Sequence, residues 1–323
     1  MPAEWARHER TLMAWPCRRE LWGERLAQAK REHAATANAI VAFEPVTMVC
    51  ADARAAAEAR AALSATAEVV ELPIDDSWLR DSGPIFVVGP GGARAGVHFR
   101  FNAWGAKWPP WDRDAAVGRL LVERLGDRVY EAPLVLEGGA IAVDGAGTLL
   151  TTEQCLLHPN RNPGLGREEI ERALRDHLGV ERVVWLGRGL VEDRETDGHV
   201  DLVAAFVAPG RVLLVMPEAA NPNRAAMEDN RDRLRAAGLE VVELPLLAYV
   251  EAEGERVPCS YLNLYVVNGA VVVPQAGVPE DAEALERVAA AFPDREAVGV
   301  PGATVARGGG GAHCITQQVP AAA

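Results

Sequence analysis

Two periods of apolar residues alternate along the chain, and their order repeats. In the last unit YLNLYVVN at 261–268 and AVVVPQ at 270–275 flank a turn at Gly269. PEDAEALERVAAAF at 279–292 then has helical spacing, and REAVGVPG at 295–302 returns to a strand. The preceding unit follows the same plan: HVDLVAAFV from 199, a Pro-Gly-Arg turn, VLLVMP from 212, a helix near residues 223–237 and LEVVELP from 239. Earlier, EGGAIAVDGAGTLLTTEQ precedes the helix REEIERALRDHL at 167–178 and the strand ERVVWLG. EPVTMVC at 44–50 leads to an Ala-rich helix after Asp52 and then to AEVVELP.

The matching strand ends fall at Pro73, Pro133, Gly187, Pro245 and Pro301, spaced 60, 54, 58 and 56 residues apart. Five units of about 60 residues therefore account for residues 1–323 as a single domain. A small mixed sheet with one helix cannot bury both faces alone, so units at this period stack or close radially. The expectation is a closed ring; the alternative is an open α/β sheet whose spacing is accidental. Asp81, Glu137, His199 and Cys314 follow these strand ends by 8, 4, 12 and 13 residues, and a radial repeat would bring such segments together on its axis.

Composition narrows the function classes. With 49% hydrophobic and 24% charged residues the chain reads as globular rather than disordered. A net charge of −13 opposes nucleic acid and anionic membranes, while a carboxylate-lined cleft would draw in a small cation. The five cysteines show neither a paired framework nor a CxxC spacing, which fits a reducing cytosol. The N-terminal residues carry charges where a signal peptide needs an apolar run, and no stretch approaches 18 apolar residues. The expected location is the cytoplasm.

Cys314 is the candidate nucleophile. A thiol with a pKa of about 8.5 needs only modest help to ionise, and Gly308 to Gly311 permit close backbone approach to it. His313 and Thr316-Gln317-Gln318 are unusual company for a plain core cysteine, and Cys17, Cys50, Cys155 and Cys259 lack that setting. Strand alternation from residue 199 would place His199 and Asp201 on one face, with His199 as the proton shuttle. A core histidine satisfied by a local carboxylate is the alternative. Asp81 lies in WLRDSGP, readable either as a surface turn or as a binding segment with Trp78 as an apolar wall. Glu137, between PLVL and Gly138-Gly139, either orients His199 or serves its own turn.

Asp81, Glu137 and Asp201 around one thiol oppose a thiolate unless a cation enters. Guanidinium is planar, permanently charged and fits carboxylates bidentately, so the substrate would supply the missing charge. A zinc site built from the same residues lacks the usual His or Cys spacing, and no dinucleotide or phosphate-loop pattern accompanies it. No cofactor or metal is expected.

These residues lie in long motifs: MPAEW…MAWP at 1–16, WLRDSGP at 78–84, FNAWG at 101–105, LEGG at 136–139, NRNPGL at 160–165, ETDGHVD at 195–201, SYLNLYVVNGAVVVPQ at 260–275 and GGGGAHCITQQ at 308–318. The set resembles the agmatine deiminase branch of the guanidino-group-modifying enzymes, a family that includes bacterial peptidyl-arginine deiminases. The resemblance implies a five-bladed α/β propeller (pentein) with pseudo-fivefold repeats, no cofactor, and a homodimer or higher homo-oligomer. It also implies Cys314 as nucleophile, His199 as acid and base, Glu137 as its partner, and Asp81 and Asp201 as guanidinium clamps. Trp78 would be the apolar wall and Glu195 would receive the distal ammonium of agmatine. The chain departs from the family pattern at Asp197, where ETNGH or DTNGH is usual, and at Gly311-Ala312, where GGGNIHC is usual. Rival expectations are free or peptidyl arginine, whose α-carboxylate would need a cation such as Arg100, and a non-enzymatic propeller that binds proteins. Amidino transfer lacks a marked second amine site.

Overall fold

The computed structural model describes residues 1–252 and 254–322. Five of its sheets share one plan, an antiparallel pair followed by a parallel strand that arrives through a helix. Ile85–Val88 pairs antiparallel with Arg94–Arg100, and helix Asp114–Leu125 carries the chain to Arg128–Val135 on the parallel side. The plan recurs with Ala142–Val143, Thr148–Thr152 and Arg182–Leu186, and again with Ala204–Ala208, Arg211–Val215 and Glu240–Leu244. It recurs once more with Tyr265–Val267, Ala270–Gln275 and Glu296–Pro301.

The fifth such sheet joins the two ends of the chain: Thr316–Pro320 runs antiparallel to His8–Ala14, which parallels Val46–Cys50, itself parallel to Glu68–Glu71. The last strand of each unit ends at Glu71, Val135, Leu186, Leu244 or Pro301, within two residues of the ends read from sequence. A further hairpin, Ala248–Ala252 with Glu255–Cys259, stands outside this plan. The sheets are small and mixed, and among the described residues none is a closed barrel.

The physical basis is ordinary. Strands in parallel pairing are covered on both faces, so Val271, Val272 and Val273 are each 0% exposed, in keeping with an unbroken apolar run. Helix Arg167–Leu178 buries Ile170, Leu174 and Leu178, one stripe at four-residue spacing. Asp52 caps Ala53–Ala62 by accepting from the Ala55 amide, a contact worth about 1 kcal/mol. Among the described residues no helix is long and apolar enough to cross a membrane.

Two local expectations are corrected. Residues 199–203 are not strand: Asp197 and Gly198 have φ of +62° and +92°, Val200–Leu202 form a short 3-10 turn, and the strand begins at Ala204. The Asp193 carboxylate accepts from the amides of Thr196, Gly198 and His199, which stabilises the turn over an extended form. Pro133 does not end its strand, which continues to Val135 opposite a register shift between His98 and Arg100.

Candidate active site

Residues far apart in the chain meet at Cys314. The segment 308–315 is held by glycines whose replacement would collide with its neighbours. A Cβ on Gly310 would lie 2.6 Å from the Trp78 ring and 2.9 Å from Cys314 Sγ; one on Gly308 would lie 2.6 Å from Trp22. The four-glycine run is thus a close-packing device rather than a mobile loop. Trp78 stacks on Trp22 at 5.6 Å between ring centroids and meets Trp104 edge-on at 6.5 Å.

Asp81 lies buried in the short helix Leu79–Ser82, not on a surface turn. Its Oδ1 accepts from the Gly139 amide at 2.9 Å and its Oδ2 from Trp104 Nε1 at 2.9 Å. Trp104 reaches it through a left-handed stretch in which Ala103, Trp104 and Ala106 all have positive φ. Each such non-glycine residue costs about 1–2 kcal/mol, strain concentrated where an indole donor must face a buried carboxylate. Gly139 fills the centre of the group: a Cβ there would lie 2.5 Å from His199 Nδ1 and 2.9 Å from both Asp201 Oδ2 and Asp81 Oδ1.

His199 stands 3.9 Å from Asp81 Oδ2 through Nδ1 and 3.9 Å from Glu137 Oε2 through Nε2. Among the described residues neither ring nitrogen has a hydrogen-bond partner, and Glu137 Oε2 and Asp201 Oδ1 are also buried and unpartnered. Unsatisfied buried polar atoms on His199, Glu137 and Asp201 describe a site arranged for a polar occupant. His199 and Asp201 reach it from the 3-10 turn, not from one face of a strand.

The electrostatics follow the geometry. Burial raises the Cys314 thiol well above its ordinary range, and the Asp201 and Asp81 carboxylates push it further. Burial likewise raises Asp81, with Asp201 and Glu137 adding to the effect and His199 opposing it. Burial alone would raise Asp201 too, but the hydrogen bond and charge of His313 outweigh it and hold Asp201 below the usual carboxylate range. In this arrangement a neutral thiol sits beside an anion. Desolvation pushes Cys50 and Cys259 up to about 12, which fits their expected structural role.

Several residues that complete the site escaped the sequence reading. Asn263 donates from Nδ2 to Cys314 Sγ at 3.1 Å and accepts from the Cys314 amide through Oδ1 at 3.2 Å. Its signal was a single amide in the apolar run SYLNLYVV. Arg161 is buried and donates to Glu137 Oε1 at 2.6 Å, to Asp197 Oδ2 at 2.8 Å and to the Thr196 carbonyl at 3.0 Å. At the departure from the family pattern, the Asp197 carboxylate is met by Lys107, Asn160 and Arg161, which bring its pKa down to about 2 against burial. Gly311, the other departure, leaves no room for a Cβ, which would lie 2.8 Å from Asn263 Oδ1.

A narrow pocket leads to the thiol, lined by Leu21, Trp78, Asp81, Trp104, Trp108, Glu195, Thr196, Gly308, Gly309 and Cys314. Glu195 lies on this wall, its Oε2 accepting from Trp108 Nε1 at 2.8 Å. Among the described residues no basic side chain lines the pocket, and Arg100, considered as a partner for an α-carboxylate, is exposed and absent from the lining. Glu137, Cys155 and His199 bring ligand-type atoms within 4.8 Å of one another. Burial and the neighbouring Glu137 raise the Cys155 thiol, and Glu137 Oε1 is already engaged by Arg161, so this trio is better suited to holding protons than a cation.

The model of the Porphyromonas-type peptidyl-arginine deiminase family matches residues 1–320. The agmatine deiminase of Stutzerimonas stutzeri is 44% identical over 353 aligned positions, covering 99% of this chain and 95% of that protein. Among solved structures, the agmatine deiminase of Enterococcus faecalis superposes with a TM-score of 0.95 at 37% identity, covering 100% of this chain and 96% of that one. A C. jejuni agmatine deiminase with substrate bound superposes with a TM-score of 0.90 at 26% identity, with the same coverage of 100% and 96%.

Proposed function

Because the chain belongs to the Porphyromonas-type peptidyl-arginine deiminase family, we propose that its Cys314 site hydrolyses the guanidinium group of agmatine to N-carbamoylputrescine and ammonia. It is a hydrolase acting on the C–N bonds of linear amidines. One observation carries the choice of substrate: the pocket over Cys314 offers a carboxylate at its wall, Glu195, and no basic side chain among the described residues. A bare terminal ammonium is welcome there. The α-carboxylate of free arginine would meet like charge without a partner.

Guanidinium binds between Asp81 and Asp201, with Trp78 covering the aliphatic chain and its central carbon near Cys314. The cation offsets the carboxylate field that holds the thiol neutral, so ionisation is coupled to binding. The sulfur adds to the guanidinium carbon as His199 takes the thiol proton, and His199 then delivers that proton to the departing nitrogen. Ammonia leaves and an S-linked thiouronium remains. Water takes the vacated place, His199 removes its proton, and collapse of the second tetrahedral adduct breaks the C–S bond, releasing the ureido product and the thiol. Glu137 supports the charge of His199, and the carboxylates stabilise the cationic intermediates of both halves.

The repeated sheet plan supports a single domain of five radially arranged blades, a five-bladed α/β propeller. The five cysteines, all free, support a reducing cytoplasm, and family likeness supports a homodimer or higher homo-oligomer. The test is ammonia release from agmatine, arginine and an arginine peptide, compared as kcat/KM. Agmatine should dominate, and a preference for either of the others overturns the substrate assignment. Cys314→Ala should abolish turnover while agmatine still binds; retained turnover removes the covalent route.

A further inference from the structure

A second cavity shares no lining residue with the pocket over Cys314, and its polar wall includes Glu4, Arg80, Asp201, His313 and Gln318. His313 spans the gap between two carboxylates. Its Nδ1 lies 2.8 Å from Asp201 Oδ2 and its Nε2 lies 2.9 Å from Glu4 Oε2. Two carboxylates can both accept from the ring only when both ring nitrogens carry protons, the state that the Asp201 and Glu4 charges favour. Arg80 fixes the backbone of the same segment, donating to the His313 carbonyl at 3.2 Å and to Gln318 Oε1 at 2.7 Å. Glu4 is held in turn, accepting from the Val266 amide through Oε1 at 2.7 Å.

The chain of contacts ends at Asp201 and the thiol. Asp201 Oδ2 is taken by His313 and faces the thiol at 3.4 Å, whereas Asp201 Oδ1 is buried and unpartnered. We propose that His313, anchored by Glu4, is a positioning residue that engages Oδ2 of Asp201 and thereby fixes the orientation of that carboxylate for the guanidinium of the substrate. This rests on the reading of Asp201 as a guanidinium clamp. Loss of the Nδ1 contact frees the carboxylate to rotate and to accept both protons of the substrate edge at the wrong angle, displacing the central carbon from the sulfur.

The paired variants His313→Asn and His313→Gln separate this role from packing. An asparagine amide nitrogen can occupy the place of Nδ1 and keep the donor to Asp201. A glutamine, nearer to histidine in size, extends its amide toward the place of Nε2 and Glu4. If His313 positions Asp201, His313→Asn retains kcat/KM for agmatine within about 10-fold while His313→Gln loses about 100-fold. A wedge that only fills space reverses the order, and equal losses in the two variants overturn the proposal as well. Glu4→Gln, which removes charge without volume at the far end, should lower kcat/KM by about 3–10-fold without shifting the melting temperature by more than a few degrees; an unchanged kcat/KM removes Glu4 from the chain. Asp201→Asn is the control on the underlying reading. Wild-type kcat/KM in that variant would remove the clamp itself, whereas a large loss there with indifferent His313 variants would remove only the positioning.

Discussion

The sulfur of Cys314 lies 3.4 Å from Oδ2 of Asp201, so the resting thiol faces the carboxylate proposed as a guanidinium clamp. This pairing has opposite consequences for reactivity and for turnover. Asp201 is the largest charge raising the thiol's pKa, after burial itself. Asp201→Asn should therefore bring the thiol down, and alkylation by neutral iodoacetamide at pH 8 should become faster, with the thiolate fraction growing about 10-fold for every 1.4 kcal/mol by which ionisation is eased. Deimination of agmatine should fall by at least about 100-fold in the same variant. Slower alkylation together with lost turnover would contradict the resting state described for the thiol.

Gly139 offers a sharper test of the site's tightness. A methyl group there would lie 2.5 Å from His199 Nδ1 and within 2.9 Å of both Asp81 and Asp201. The residue's φ is not in the left-handed region, so alanine strains no backbone and acts by crowding alone. Gly139→Ala should lower kcat/KM by about 100-fold, the scale of a 1 Å displacement of catalytic groups, for a loss of about 1–3 kcal/mol in stability. Parallel activity and melting curves check it. Near-normal activity would mean that His199, Asp81 and Asp201 are not held as closely as described.

The repeat was legible because the spacing of strand ends is a local property, preserved by short turns and one helix per unit. Cys314, Asp81 and Glu137 were legible because each sits in an unusual polar or glycine-rich break after such an end. Strand alternation puts His199 and Asp201 on one face, but the apolar run LVAAFV masks a turn set by Asp193 and two left-handed residues. Arg161, Asn263 and His313 gain their roles from partners 24, 51 and 112 positions away, respectively, and no local pattern reports such contacts. Arg161 lies in the NRNPGL motif with nothing local to mark its partner, yet it is buried against Glu137.

The assignment of Glu195 to the terminal ammonium makes it a residue of selectivity rather than of the chemical step. Trp108 holds its Oε2, which fixes the carboxylate on the pocket wall. If it receives the terminal ammonium, Glu195→Gln should raise KM for agmatine by about 10-fold, the scale of one charge-assisted contact, with a smaller change in kcat. Butylguanidine, which lacks the ammonium, should be affected much less. Equal effects on both guanidines would reassign Glu195 to holding Trp108.

The acid behind the tryptophans makes a separate prediction about pH. Asp114 is buried at the start of its helix, accepting from the amides of Asp75 and Asp76, and burial with the nearby Asp76 and Asp75 charges raises its pKa to about 7. In the unfolded chain the same carboxyl titrates near ~4. Between these values the folded protein binds a proton that the unfolded chain does not, so stability rises as pH falls from 7 toward 4 and the gain is complete below the unfolded pKa. The contribution is about 1–4 kcal/mol, at about 1.36 kcal/mol for each tenfold change in proton affinity. Groups with depressed pKa values, Asp201 and Glu4, act oppositely, but their stabilisation is lost only as pH falls below the ordinary carboxylate range, leaving the two windows separate. Asp114→Asn keeps an acceptor for the two amides and removes the titration. The wild-type melting temperature should accordingly rise between pH 7.5 and 5 relative to that of the variant, and a constant difference across that range would show that Asp114 is not the titrating group.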